Sequence, residues 1–324
     1  MGQRKYLDIL QVYRGIAALV VVIHHTIPSI LFFNGLDNDI LLQVSSYGKL
    51  GVDFFFVLSG FIIAYTNLGR GGGVKDYFLR RTTRIYIPYL PIGIAMMILY
   101  WIMPNMSASD RDFSLINSLT LFPIGNPALS VAWSLSYEMF FYLLFLICIW
   151  NRRYFHVLVF FWSLLIFISL AGDIKFNSFL FNFYILEFFI GYILAYGMVR
   201  NKWKLYAGIM VLILGINYLV LPDPLSNLTI AVGFSALIFV SIAFYDFRLS
   251  SNHLLMLIGT SSYSIYLIHN PLQSLLVRRL TFIPDEHVIW IVLFIVLIAS
   301  VIIGYIYYFV FEKKLTKLIY NKLR

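Results

Sequence analysis

With a single cysteine among 324 residues, the chain can form no internal disulfide. Cys148 stands among Leu, Ile and Trp with no basic neighbour to hold it as a thiolate, so it reads as packing. Charge is scarce too: Asp, Glu, Lys and Arg make up 12% of the residues, against about 25% in soluble domains. A composition 61% hydrophobic with so little charge excludes a water-soluble globule and requires an integral membrane protein. Low-complexity tracts and internal repeats are missing, and no metal site is expected. The first apolar run lacks a small-residue cleavage site after it, so it is expected to stay as the first helix and not to leave as a signal peptide.

What is present is a succession of apolar runs, each near the roughly 20 residues a membrane helix needs. They lie at about 12–33, 50–67, 85–103, 131–150, 155–171, 179–197, 205–221, 228–245, 254–277 and 288–311. The pattern predicts an all-α, polytopic bundle of about ten transmembrane helices, with the ninth interrupted at Asn270 and Pro271. Residues 1–324 form one membrane domain in this reading. The net charge of +9 would suit nucleic acid, but its distribution argues otherwise. With the N-terminus inside, 18 of the 24 Lys and Arg fall in inner loops, five fall outside, and Arg14 lies in the first span. That asymmetry is the positive-inside rule, which puts both termini in the cytoplasm and makes the excess mostly a matter of topology and not of nucleic-acid binding.

Arg14 and His25 stand eleven residues apart in the first run. Eleven residues make about three turns, so both side chains point the same way, roughly 16 Å apart along the axis. Ionisable groups at membrane depth are costly and face a cavity or a partner. His24 lies about 100° round the helix and reads as a structural hydrogen-bonding residue. After the glycine run Gly69, Gly71, Gly72 and Gly73, Arg81 and Arg84 occupy one face of a helix entrance. An ordinary cytoplasmic anchor would explain them, as would a phosphate site. The longest outer loop, 104–130, carries Asp110, Arg111 and Asp112 and is long enough to cover an outward-facing site.

Four further ionisable groups fall at membrane depth. Asp53 opens the second span in GVDFFFVLSGF, Glu138 lies in AWSLSYEMFFYL, Glu187 is mid-way along the sixth span, and His269 stands in SSYSIYLIHNP. Sorted by depth, His25, Asp53, Glu138 and His269 belong to the outer half, and Arg14, Arg81 and Arg84 to the inner end. Arginine forks bind phosphates bidentately, which suits a cytosolic coenzyme A thioester. An imidazole near a carboxylate suits a general base acting on an alcohol. Together they describe acyl transfer from an inside donor to an outside acceptor.

The run LDILQVYRGIAALVVVIHH resembles the opening helix of acyltransferase family 3 membrane proteins, in which an arginine and a histidine flank ten residues. GVDFFFVLSGFII, RRTTRIYIPY, AWSLSYEMFFYLL and SYSIYLIHNPL also resemble family segments, in family order, so the likeness covers about residues 7–312. The resemblance implies a ten-span bacterial enzyme that O-acylates envelope carbohydrates. It makes His25 the catalytic histidine, Arg14, Arg81 and Arg84 the donor-side cations, and Glu138 the acidic residue after the Trp-Ser pair. Two departures stand out. The chain ends soon after the tenth span, so no fused periplasmic esterase-like domain is expected, and Tyr137 stands where many relatives have valine. Tyr137 either reshapes the acceptor side or packs. Glu187 maps to no family motif and stands open between structural pairing and a channel role.

The sequence thus reads as a multi-pass O-acyltransferase of the bacterial inner membrane, most simply an O-acetyltransferase. Acyl-CoA serves as co-substrate with no resident cofactor, and an O-antigen, exopolysaccharide or similar glycan is the acceptor. His25, Glu138 and Asp53 are the catalytic candidates, with His269, Tyr137 and Trp133 on the acceptor side. Membrane lipid is a further partner, and a homo-oligomer is compatible with the sequence. The rival from another class is a proton-coupled transporter, since membrane His, Asp and Glu also relay protons, but inverted repeats and half-helices are not evident. A purely structural subunit of an export complex would tolerate His25→Ala.

Overall fold

A computed structural model describes residues 7–68, 73–103, 112–171, 179–220, 227–244, 253–280 and 286–323. The structure is 89% helix, with no strand among the described residues. Gly69, Gly71, Gly72, Asp110 and Arg111 lie outside them, as do the loop cations Arg4, Lys5, Arg70, Lys175, Arg248 and Arg324.

Each apolar run holds helix. In order these are α1 (Leu7–Asn34), α2 (Asp39–Ser46), α3 (Leu50–Asn67), α4 (Val74–Ile102), α5 (Leu115–Thr120), α6 (Trp133–Trp150) and α7 (Arg152–Ala171). Then follow α8 (Tyr184–Val199), α9 (Trp203–Val220), α10 (Asn227–Phe244), α11 (Leu254–Thr260), α12 (Ser262–Leu280), α13 (Glu286–Tyr307), a π-helical segment (Tyr308–Leu315) and α14 (Thr316–Leu323). Six helical stretches are long and apolar enough to cross a membrane: Asp8–Asn34, Asp39–Asn67, Val74–Ile102, Ser130–Trp150, Arg152–Ser169 and Ile289–Leu323. Three shorter apolar helices, Tyr184–Val199, Trp203–Ile216 and Asn227–Ala243, accompany them. The protein is therefore all-helical and multi-pass.

The ninth run is broken, but not where proline predicted. Pro271 lies inside α12, and the chain breaks instead at Ser261, between α11 and α12. The hydroxyls of Thr260 and Ser261 donate to the Leu257 carbonyl at 3.0 and 2.7 Å. Such side-chain bonds compete with the helix ladder. Proline in an apolar helix bundle is tolerated where neighbours satisfy the freed groups.

The chain forms two compact units: one comprises Met1–Val52, Arg80–Ser136 and Phe247–Arg324, the other Asp53–Leu79 and Tyr137–Asp246. In the first, α1 packs against α2, α11, α12 and α13. Small residues make those approaches close, as expected where lipid supplies no hydrophobic drive between helices. A Cβ on Gly15 would stand 3.0 Å from the Gly259 backbone nitrogen, and one on Gly259 would meet the Gln11 backbone. In the second unit α8 is the core helix, with Ile185 to Tyr192 buried and α9 and α10 against it. Gly60 and Gly191 let α3 and α8 meet backbone to backbone, beside a stack of Phe141 on Phe188 at 4.6 Å.

Candidate functional site

The first unit brings together two histidines that stand 244 positions apart in the chain. On α1, His25 is half-buried, and its Nδ1 lies 3.0 Å from the Val21 carbonyl oxygen and 3.3 Å from His269 Nε2. His269, on α12, is fully buried, and its Nδ1 lies 2.7 Å from the Tyr266 carbonyl oxygen. The ring centroids are 5.2 Å apart. Among the described residues His25 Nε2 carries no hydrogen bond. His24 looks elsewhere: its Nδ1 donates to the Ser45 carbonyl at 2.7 Å and so ties α2 to α1. The two neighbouring histidines thus take different partners, as the 100° between them on a helix requires.

The α1–α12 contact continues as a buried polar strip. Thr26 Oγ1 donates to Gln273 Oε1 at 3.0 Å, and Gln273 Nε2 donates to Ser29 Oγ at 3.4 Å. Below it, Tyr266 OH donates to the Val131 carbonyl at 3.0 Å and contacts Ser134 Oγ at 2.7 Å, and Ser130 donates to Asn270 at 3.1 Å. These bonds seat α12 against the start of α6, where Trp133 is half-buried. They also explain why α12, with Ser264, His269 and Gln273 turned inward, is too polar to count as a span by composition.

Three turns before His25, Arg14 donates from Nη1 to Gln11 Oε1 at 3.2 Å. Glu312, in the π-helical segment, accepts from Ser264 Oγ at 2.9 Å, and the Arg14 and Arg84 guanidiniums both lie within its electrostatic reach. Tyr263 donates to the Ile85 carbonyl at 3.1 Å and Tyr307 to the Pro88 carbonyl at 2.6 Å, which fixes the Arg84 stretch of α4 against α12 and α13. Arg81 is half-buried one turn earlier on α4. Two guanidiniums near one carboxylate leave a net positive cluster, the sign of charge that phosphates bind. In sequence Glu312 is masked by Lys313 and Lys314, which follow it and make the segment look like a membrane anchor. Its signal was an acid one residue past an apolar run, and π-helical stretches often mark functional positions.

The second unit holds Glu138, Asp53 and Glu187. Glu138 Oε1 accepts from Ser59 at 3.3 Å and from Tyr142 OH at 2.5 Å. Tyr137 is buried and stacks on Phe179 at 4.3 Å, with Phe56 and Tyr184 beside it. Asp53 is buried at 4% exposure. Glu187 is wholly buried, and neither of its carboxyl oxygens has a hydrogen-bond partner among the described residues. Among the described residues, no group of three or more His, Cys, Asp or Glu is arranged to hold a metal.

No curated protein and no solved structure matches the chain. A family model described as an acyltransferase domain, that of acyltransferase family 3, matches residues 5–309, nearly its whole length. Together with the apolar helices, the match identifies the chain as a member of acyltransferase family 3 and a membrane acyltransferase.

Proposed function

We propose that the chain transfers an acetyl group from cytosolic acetyl-CoA to a hydroxyl of an envelope or exported polysaccharide or glycolipid in the bacterial inner membrane. The observation that carries this reading is His25: a half-buried imidazole whose Nδ1 is engaged and whose Nε2 is unoccupied, in an acyltransferase. Ten membrane helices with both termini cytoplasmic, in a single domain over 1–324, would set Arg14, Arg81 and Arg84 toward the donor's phosphates. His25 takes the proton of the acceptor hydroxyl as its oxygen attacks the thioester carbonyl. The carbon–sulfur bond breaks, the ester forms, and the thiolate leaves with the proton as free coenzyme A. Glu138 and Asp53 serve the acceptor side electrostatically, and half-buried Trp133 is the aromatic candidate for a sugar ring, while Tyr137 packs against Phe179. No resident cofactor is needed for this chemistry.

The test is chemical. Envelope polysaccharide from cells with and without the gene is compared by proton NMR for O-acetyl methyl signals. Acetyl that disappears with the gene and returns with the wild-type chain is the expected result. Identical acetylation in both would remove the proposed acceptor class.

A further inference from the structure

We infer that His269 is a positioning residue that holds His25 in one tautomer, with the proton on Nδ1 and the reactive lone pair on Nε2; this rests on the reading of His25 as the base. The assignment follows from which groups are able to donate. A backbone carbonyl only accepts, so His269 Nδ1, 2.7 Å from the Tyr266 carbonyl, must carry a proton. A neutral imidazole has one N–H, which leaves His269 Nε2 as an acceptor. His25 Nδ1, 3.0 Å from the Val21 carbonyl, must likewise carry its proton, and the same N–H points at His269 Nε2 at 3.3 Å. One assignment satisfies all three contacts when both rings are neutral. It leaves His25 Nε2 as the bare nitrogen, the one with no hydrogen bond among the described residues.

The arrangement repeats the logic of a serine-protease triad, where a buried group on Nδ1 fixes the tautomer and orientation of the working imidazole. There the group is a carboxylate; here it is a second, fully buried imidazole aided by a carbonyl. When Nε2 takes the hydroxyl proton, the positive ring still has both acceptors on its Nδ1–H. When the thiolate takes that proton back, the ring returns to the starting tautomer without rotating. Burial is what makes the device dependable: His269 is 0% exposed, and its other nitrogen is anchored one turn back on its own helix.

The experiment uses the full-length chain in lipid, labelled with nitrogen-15 histidine, at mildly alkaline pH. The His25 signal, assigned by its loss in His25→Ala, should show the Nδ1–H tautomer in the wild type. Acetyl incorporation from radiolabelled acetyl-CoA into the glycan of everted membrane vesicles is measured alongside. His269→Leu leaves the Val21 carbonyl as the one remaining acceptor on His25 Nδ1, so it should raise the share of the Nε2–H tautomer above the wild type and lower kcat at least about tenfold, within the range general acid–base catalysis supplies, with KM for acetyl-CoA unchanged. His269→Gln has an amide oxygen to accept from His25 and an amide N–H for Tyr266, so it should restore the tautomer and most of the rate. A wild-type His25 that carries its proton on Nε2, or a wild-type rate in His269→Leu, overturns the inference. Full transfer by His25→Ala would instead remove the base itself, whatever the spectra show.

Discussion

Glu138 places two hydroxyls, those of Ser59 and Tyr142, on the same carboxylate oxygen, Oε1. Oε2 has no partner among the described residues and is not enclosed as a buried unpaired atom. In the proposed reading an acceptor hydroxyl meets that oxygen, so Glu138→Gln should cut turnover at least about tenfold while acetyl-CoA binding stays nearly constant, the signature of an interaction made in the transition state. Steady-state kinetics with a donor-binding isotherm measure both, and wild-type turnover in the Gln variant would reduce Glu138 to a structural role. At the basic pocket, Arg84→Ala should weaken acetyl-CoA binding about tenfold or more, the scale of losing one or two charge-assisted bonds. Arg84→Lys should recover little, because lysine lacks the planar fork. That His24 and His25 take different partners was legible from the 100° between them on a helix. The pairing of His25 with His269 was not, because a contact across 244 positions leaves no trace in local pattern.

At the scale of helices, apolar length located the long helices but not α2, α5 or α14, which lie outside the apolar runs, and breaks were the harder matter. Proline at position 271 was a plausible breaker, yet the hydroxyls of Thr260 and Ser261 end α11 while α12 runs through the proline. Local breaker rules assume water as the alternative partner, and a packed apolar bundle changes that balance. Close crossings between helices set another limit that sequence showed only as scattered glycines. Gly259 on α11 lies against the Gln11 backbone of α1, so Gly259→Ala should destabilise the fold by about 1–3 kcal/mol or more through overpacking. Gly233 on α10 has nothing near a built Cβ, so Gly233→Ala should be neutral or slightly stabilising. Cys148, the lone and buried cysteine, provides the readout: its reaction with a thiol dye on heating reports unfolding directly. Equal melting of both variants would contradict the close α1–α11 crossing.

For the whole molecule, the proposed direction of chemistry rests on the charge asymmetry of the loops, which would set Arg14 and Arg84 toward cytosolic acetyl-CoA. In a Cys148→Ser background, a cysteine placed at Asp37 should react with an impermeant thiol reagent added from outside. Cysteines at Arg152 and Lys202 should be spared until the membrane is opened. Outside labelling at Arg152 would reverse the topology and the donor-inside mechanism with it. The central claim is that His25 is the group that moves the proton during acetyl transfer. It is tested most directly with the purified chain in vesicles, by following coenzyme A release and acetyl transfer from acetyl-CoA to an added envelope glycan. The account predicts robust transfer by wild type and by His24→Ala, whose loss of one bond to Ser45 costs only about 0.5–1.5 kcal/mol of stability, and no detectable transfer by a folded His25→Ala. Transfer by His25→Ala at the wild-type rate, or its loss in His24→Ala alone, would contradict it.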